Sequence, residues 1–385
     1  MSNRREFLKS TATVVAAALA ANVTAAGEEK MSPPGKDQLI SSLKAAGQSP
    51  QLSIDDVGTT VMVLPNGGRI LGLFSPDSQT NFLWTNDHLR SADSARAFIE
   101  SDEWQNTGGD RTWLSPEIDF FYPNFPVTDP YFQPRSLDPG NYQLIPNPHG
   151  ITVRNDLNVR SYRHKVDWQL RLTKDVRLLS NPLSRLPHGQ FAEKVQFAGY
   201  RLHTSLEILA ADPKPADVNI WNLVQMPNGG DMIIPTYYRS EPTTFFGDIP
   251  AGHVQTHENK VVYTMKAEGE QKIAVSAMAA TGRAGYIVAQ GDETALIIRN
   301  FAVRPSANYV DVWPTSPEDD GYAFQACNIR NPTLGTFSEL EYHAPAIGGE
   351  TGLTRSDDVS ELWAFRGDQE IIRSLGELLL SAGAS

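Results

Sequence analysis

The run Gly108-Gly109-Asp110-Arg111-Thr112-Trp113-Leu114-Ser115-Pro116-Glu117-Ile118-Asp119 gathers three carboxylates, a guanidinium and an indole. Two glycines open it and Pro116 bends it. Such a mixture is poor material for a core and suits a site for a sugar. Acids and arginine hydrogen-bond hydroxyls, while an indole offers an apolar face to a pyranose ring. Asp110, Arg111, Trp113 and Glu117 are therefore candidate ligand-positioning residues. They point to a class of ligand and leave the reaction open.

Three further stretches sort by strand periodicity, with alternate residues on opposite faces. In residues 217–226, Val218, Ile220, Val224 and Met226 form an apolar face interrupted by Asn222. Asp217, Asn219, Trp221 and Gln225 oppose them, with Leu223 among them. In residues 200–208, Tyr200, Leu202, Leu206 and Ile208 oppose Arg201, His203, Ser205 and Glu207. In residues 337–344, Glu339, Glu341 and His343 share a face opposite Leu340 and Tyr342. If the three strands lie in one sheet, their polar faces line a groove. The alternative is that each face meets water, as half-exposed antiparallel strands usually do, and it fits Arg201, His203 and Glu207 best. It fits Glu339 and Glu341 less well, because acids two apart on a strand repel each other, and Pro345 and Gly348-Gly349 then suggest a loop at a site rim. Trp221 reads equally as core or as ligand platform.

Other chemistries find little support. The histidines show no tight metal-ligand spacing. His253 and His257 are four apart but lie in a strand-like region after Gly252, with no helix to pair them. No cofactor is called for and no metal site is assigned. No Gly-x-Ser-x-Gly elbow is present. Cys327, the single cysteine, excludes an intrachain disulfide, and its place in the run Tyr322-Ala323-Phe324-Gln325-Ala326-Cys327 reads as structural.

The elements that must position these residues are mostly strands. Residues 2–9, Ser-Asn-Arg-Arg-Glu-Phe-Leu-Lys, form a twin-arginine signal before an apolar run at residues 11–21. That run is too short and alanine-rich for a stable span of about 20 residues. Small residues at 23–26 offer a cleavage point, so residues 1–26 read as a signal peptide and the mature protein as periplasmic or secreted. Residues 27–49 hold a linker and a short helix over 37–46. From Gln51 the texture turns to β. Thr59 to Leu64 precede Pro65-Asn66-Gly67-Gly68, a hairpin turn. Short runs recur at 143–145, 150–153, 168–172, 195–208, 218–224, 261–265, 273–276, 295–301 and 335–342. A last strand at 361–365 leads to a helix over 368–382, with Ile371, Ile372, Leu375, Leu378 and Leu379 on its apolar stripe. The fold class is all-β: an antiparallel sandwich over residues 50–366, with a C-terminal helix in 367–385 packed on it. No βαβ alternation supports a nucleotide-binding fold.

The formal charge of −12 over 385 residues argues against nucleic acid or an anionic membrane as partner. It also disfavours a strongly anionic polymer, unless Arg154, Arg160, Arg163, His164 and Lys165 form a basic patch. Solvated strand positions are the ordinary reading of those five. A carbohydrate ligand is the partner implied, with no membrane association after signal removal.

Gly67-Gly68-Arg69-Ile70, the Gly-Gly-Asp-Arg-Thr-Trp segment with its Pro-Glu, Trp221-Asn222-Leu223-Val224-Gln225 and the late Glu339-Leu340-Glu341 together resemble the galactose mutarotase-like (aldose 1-epimerase-like) superfamily, nearest its exported bacterial branch. The likeness covers about residues 50 to 350, on short motifs. It implies a β-supersandwich with a sugar site on the concave face of the larger sheet. It also implies a His acid and a late Glu base that interconvert anomers. The base maps to Glu341, or to Glu339 if the register slips by two. The family's Asn-His pair stands here as Asn219-Ile220, so the acid is missing at that position, and His203 is the replacement to test. The same scaffold resembles domains of some polysaccharide lyases and glycoside-processing enzymes, a non-catalytic carbohydrate-binding module is a further alternative, and fold cannot choose among them.

Overall fold

A computed structural model describes residues 33–185, 191–312, 321–332 and 334–381. The expected signal peptide and the start of the linker lie outside the described residues. Two antiparallel sheets of ten strands each form the body. The first runs Gln51–Ile54, Thr60–Leu64, Arg69–Phe74, Asp110–Ser115, Asp217–Pro227, Gly335–His343, Tyr322–Asn331, Gly269–Ser276 and Thr243–Phe246, and Ile347–Gly348 pairs beside Asp217–Pro227. In the second sheet, Val254–Thr256, Lys260–Thr264, Asp231–Pro235, Arg283–Gln290, Glu293–Asn300 and Arg355–Gly367 lead on to Gln196–Asp212. Val166–Leu178, Ile151–Ser161 and Gln143–Ile145 complete it. The expected all-β sandwich is thus the fold, and several strands are longer than their apolar runs alone suggest.

Alternation explains how the sheets meet. Ile151, Val153, Leu157 and Val159 face inward with Leu170, Leu172, Leu202 and Leu206. Opposite them stand Ile220, Val224, Leu340 and Phe324 of the first sheet, in one continuous core. Gly108 and Gly109 let Asp110–Ser115 enter between its neighbours. Both have positive φ, and a Cβ on Gly109 would lie 2.3 Å from the carbonyl oxygen of Ile70. The Pro65–Gly68 stretch joins two adjacent strands, as its residues predict.

Helices close the outer faces. In Lys36–Ala45, Leu39 and Leu43 pack on Met62, Leu64, Leu71 and Phe74 of the first sheet. In Gln369–Leu380, Ile372, Leu375, Leu379 and Leu380 pack on Leu296, Ile298 and Phe365 of the second. The Asp368 carboxylate caps that helix by accepting from the Glu370 amide at 2.9 Å. Among the described residues no helix is long and apolar enough to cross a membrane.

One expectation is corrected here. The strand that carries His203 belongs to the second sheet, so only two of the three polar faces can share a groove. The face bearing Arg201, His203 and Glu207 points outward. There it joins a ladder of exposed ion pairs, including Arg201–Glu361, Arg171–Glu207 and His203–Asp357. A solvated face is what that strand has.

Candidate functional site

Register in the first sheet decides which side chains meet. Glu339 stands opposite Gln225 and Cys327, Glu341 opposite Leu223 and Gln325, and His343 opposite Trp221. Trp113 pairs with Trp221, Arg111 with Leu223, and Lys272 with Cys327. Directly paired residues project to the same side of a sheet. Five adjacent strands therefore present Arg111, Trp113, Trp221, Gln225, Glu339, Glu341, His343, Gln325, Cys327 and Lys272 on one face.

Two buried ion pairs organise that face. Arg111 Nη2 lies 2.9 Å from Glu339 Oε1, which also accepts from Gln225 Nε2 at 3.0 Å. The Arg111 guanidinium sits 4.2 Å from the Trp113 ring centre. Lys272 Nζ lies 2.9 Å from Glu341 Oε2 and 4.0 Å from Glu117 Oε2, over the Trp221 ring at 4.6 Å. Trp221 Nε1 donates to the same Glu341 oxygen at 2.9 Å. Behind Trp113, Asp138 Oδ2 accepts from Trp113 Nε1, Trp104 Nε1 and Arg69.

A loop acid completes the cluster. Asp311 accepts from the Glu117 amide and from Gln325 Nε2, each at 2.8 Å. Its Oδ2 lies 3.8 Å from His343 Nε2. The His343 ring stacks on Trp221 with centres 5.7 Å apart, and its Nδ1 is 3.1 Å from Ser115 Oγ. The Ser115 hydroxyl donates to Asn219 Oδ1, and Asn219 Nδ2 lies 3.4 Å from the same His343 Nδ1. His343 Nε2 has no hydrogen-bond partner. From outside, Phe121 packs on Trp221 and Tyr131 stacks on Phe121, while the Tyr131 hydroxyl donates to Glu117 Oε1 at 2.8 Å.

Burial and charge set the protonation. Burial, reinforced by Glu339, raises the Glu341 carboxyl to about 7 against the opposing pull of Lys272. Burial also raises Glu117, with Lys272 opposing and Asp311 reinforcing. For Lys272 burial works against the charge, but Glu341, Glu117 and Asp311 together outweigh it and hold the ammonium above its ordinary range. One lysine thus serves three acids, and near neutrality a proton is retained among the carboxyls. Burial lowers His343 to about 4, so its imidazole is neutral.

Most of the residues singled out from the sequence converge: Arg111, Trp113, Glu117, Trp221, Gln225, Glu339, Glu341 and His343. Two do not. Asp110 points into the sandwich, fully buried, where its Oδ2 lies 2.8 Å from Arg299 Nη1 and accepts from the Tyr200 hydroxyl. Adjacent strand residues face opposite sides, so Asp110 cannot share the face of Arg111. His203 stands on the outer surface of the other sheet, 3.0 Å from Asp357. Lys272, Asp311, Gln325 and Tyr131 join the site without a sequence signal, apart from the alternation that places Gln325 on the face of Cys327. Cys327, read as structural, borders the site, and burial together with Glu341 and Glu339 pushes its thiol far up. It is no nucleophile at neutral pH.

Among the described residues, one group offers three metal-type ligand atoms close together: Cys327, Glu339 and Glu341, all within 4.8 Å. Both carboxylates are already held by cations 2.9 Å away, which opposes a metal ion there.

Comparison with curated proteins finds no match. Among solved structures, the chain is similar to a galactose mutarotase-like protein from Lactobacillus casei ATCC 334, at 10% identity over 82% of this chain and 100% of that one, with a TM-score of 0.45. It is similar to galactose 1-epimerase from Lactobacillus acidophilus NCFM, at 9% identity over 83% and 95%, with a TM-score of 0.41. A protein from Synechocystis sp. PCC 6803 matches at 12% identity over 83% and 94%, with a TM-score of 0.43. Likenesses at this level say nothing about activity. The family comparison is direct: a model described as Family of unknown function (DUF6786) matches residues 38–382, and the chain belongs to that family.

Proposed function

We propose that the protein binds a sugar on the Arg111–Glu341 face and moves protons on it by acid–base chemistry of the epimerase type. The supporting observation is the mixture of unpartnered buried atoms there. Arg111 Nε and Nη1 are donors without acceptors, and Gln225 Oε1 and Gln325 Oε1 are acceptors without donors. A hydroxyl both gives and accepts a hydrogen bond, so a polyol matches this mixture, and an apolar ligand leaves it unsatisfied.

Anomer exchange requires a proton on the ring oxygen and removal of another from the anomeric hydroxyl. Glu341, which titrates near 7 beside Lys272, is the base in its ionised form. Neutral His343 cannot donate, and His203 lies on the wrong sheet. The acid role falls to Glu117, the other carboxyl at Lys272. Two carboxyls that share one cation and one proton supply both forms near neutral pH. The protein also acts outside the cytoplasm in this reading, on the strength of Arg4-Arg5 and the apolar run behind them. The N-terminus of the mature periplasmic chain, read by mass spectrometry, tests that.

Anomer-exchange NMR over a panel of aldoses tests the chemistry. Glu341→Gln is expected to slow exchange about a hundredfold or more while binding persists. Binding without exchange in the wild type would leave a carbohydrate-binding module. New C=C absorbance on uronate polymers would instead make it a lyase.

A further inference from the structure

Counted by charge, the site is lopsided. Arg69 is paired with Asp138, Arg111 with Glu339 and Lys272 with Glu341. Among the described residues of the cluster, Glu117 and Asp311 then have no cation of their own, since Lys272 reaches Glu117 only at 4.0 Å. Both are linked through the Glu117 amide, which donates to Asp311 Oδ1.

A second observation falls at the same place. His343 Nε2 and Gln325 Oε1 are fully buried, unpartnered and grouped around Asp311. Gln325 turns its amide N–H toward Asp311 and keeps its carbonyl unused. His343 Nε2 faces the Asp311 carboxylate across 3.8 Å. Among the described residues, neither the amide oxygen nor the imidazole nitrogen has a hydrogen-bond partner, and the carboxylate accepts only from the Gln325 and Glu117 N–H groups. A single hydroxyl can serve one of the three. A protonated amine brings three N–H donors and the missing positive charge.

We infer that the ligand is an amino sugar whose ammonium group sits among Asp311, Gln325 and His343. This rests on the carbohydrate reading above. A uronate is disfavoured at the same spot, because its carboxylate would meet Asp311 and Glu117 in a dry site.

Calorimetric titration at pH 7 separates the cases. The panel is glucosamine, galactosamine and mannosamine, their N-acetyl forms, the parent hexoses, and glucuronate and galacturonate. At least one free amine is expected to bind about tenfold or more tightly than its parent hexose, and N-acetylation, which removes the charge, is expected to abolish the gain. Asp311→Asn is expected to bring the ratio of free-amine to parent-hexose affinity down to about one, whatever it does to hexose affinity itself. Should that variant fail to fold, the amine and N-acetyl pair on the wild type decides alone. Hexoses or uronates that bind as tightly as the amines would overturn the amino-sugar assignment and leave the sugar site standing. No binding by any member of the panel would remove the carbohydrate reading itself.

Discussion

Lys272 and Glu341 stand on strands separated by a third, yet their charges meet at 2.9 Å. The lysine reaches over the Cys327 strand, its ammonium against the Trp221 ring. Neither residue is exposed, so the attraction is screened little by solvent. This contact governs the protonation of the whole cluster.

Stability should therefore depend on pH through two buried groups of opposite sign. Glu341 holds its proton up to about 7, whereas an unfolded glutamate releases it near 4.5. Its contribution is present below 4.5 and is lost as pH rises through 7. His343 is held down to about 4 from an ordinary 6.5, so its contribution is present above 6.5 and is lost as pH falls through 4. Between the two the slopes oppose each other. Denaturant titrations from pH 4 to 8 are expected to show Glu341→Gln without the wild-type decline between pH 6.5 and about 7, where the His343 slope no longer offsets it. An unchanged decline would assign it to another group.

Neighbours in sequence should fail differently. Asp110→Asn strips the charge from the partner of Arg299 inside the sandwich and is expected to cost about 3–5 kcal/mol of stability. Ligand affinity of the folded protein should remain. Arg111→Lys keeps the charge near Glu339 but loses the planar fork, so affinity should fall about tenfold with little loss of stability. Thermal melts and titrations on the two variants check this, and matching phenotypes would contradict the assignment of opposite faces.

His203→Gln should be nearly silent. Arg355 already holds the Asp357 carboxyl down to about 2, and the pair is exposed. A stability change within about 1 kcal/mol is expected, with exchange and binding unaltered. Loss of anomer exchange in this variant would restore His203 to the mechanism.

Tyr131→Phe keeps the ring on Phe121 and removes the hydrogen bond to Glu117. It should loosen the cover over Trp221 at a cost of about 0.5–1.5 kcal/mol. Stopped-flow association of ligand is expected to quicken several-fold. An unaltered rate would mean that this contact does not gate entry.

The faces of single strands were legible in the sequence, and the sheet each strand joins was not. Alternation in residues 217–226 and 337–344 separates Trp221, Gln225, Glu339 and Glu341 from their apolar neighbours, because a pleated strand has a fixed period of two. The same rule read His203 as polar-facing and could not say that its strand lies in the second sheet. Pairing between strands is a long-range choice with no local marker. Asp110 misled for a related reason. Its place in a run of acids, arginine and indole grouped it with the ligand-positioning residues, but the segment is a strand and sends Asp110 inward. Lys272 looks like any polar residue beside Ile273, and Asp311 lies in an irregular stretch with no period at all.

Three of the seven tryptophans, Trp104, Trp113 and Trp221, form a chain, the first pair tilted and the second edge to face, with ring centres 5.5 and 5.7 Å apart. The last of them donates its indole N–H to the carboxyl that titrates near neutrality. Intrinsic fluorescence is therefore wired to the chemistry. Emission from that indole chain is expected to shift, without any added dye, as the acid titrates and, on the proposal of a sugar site, as a ligand binds.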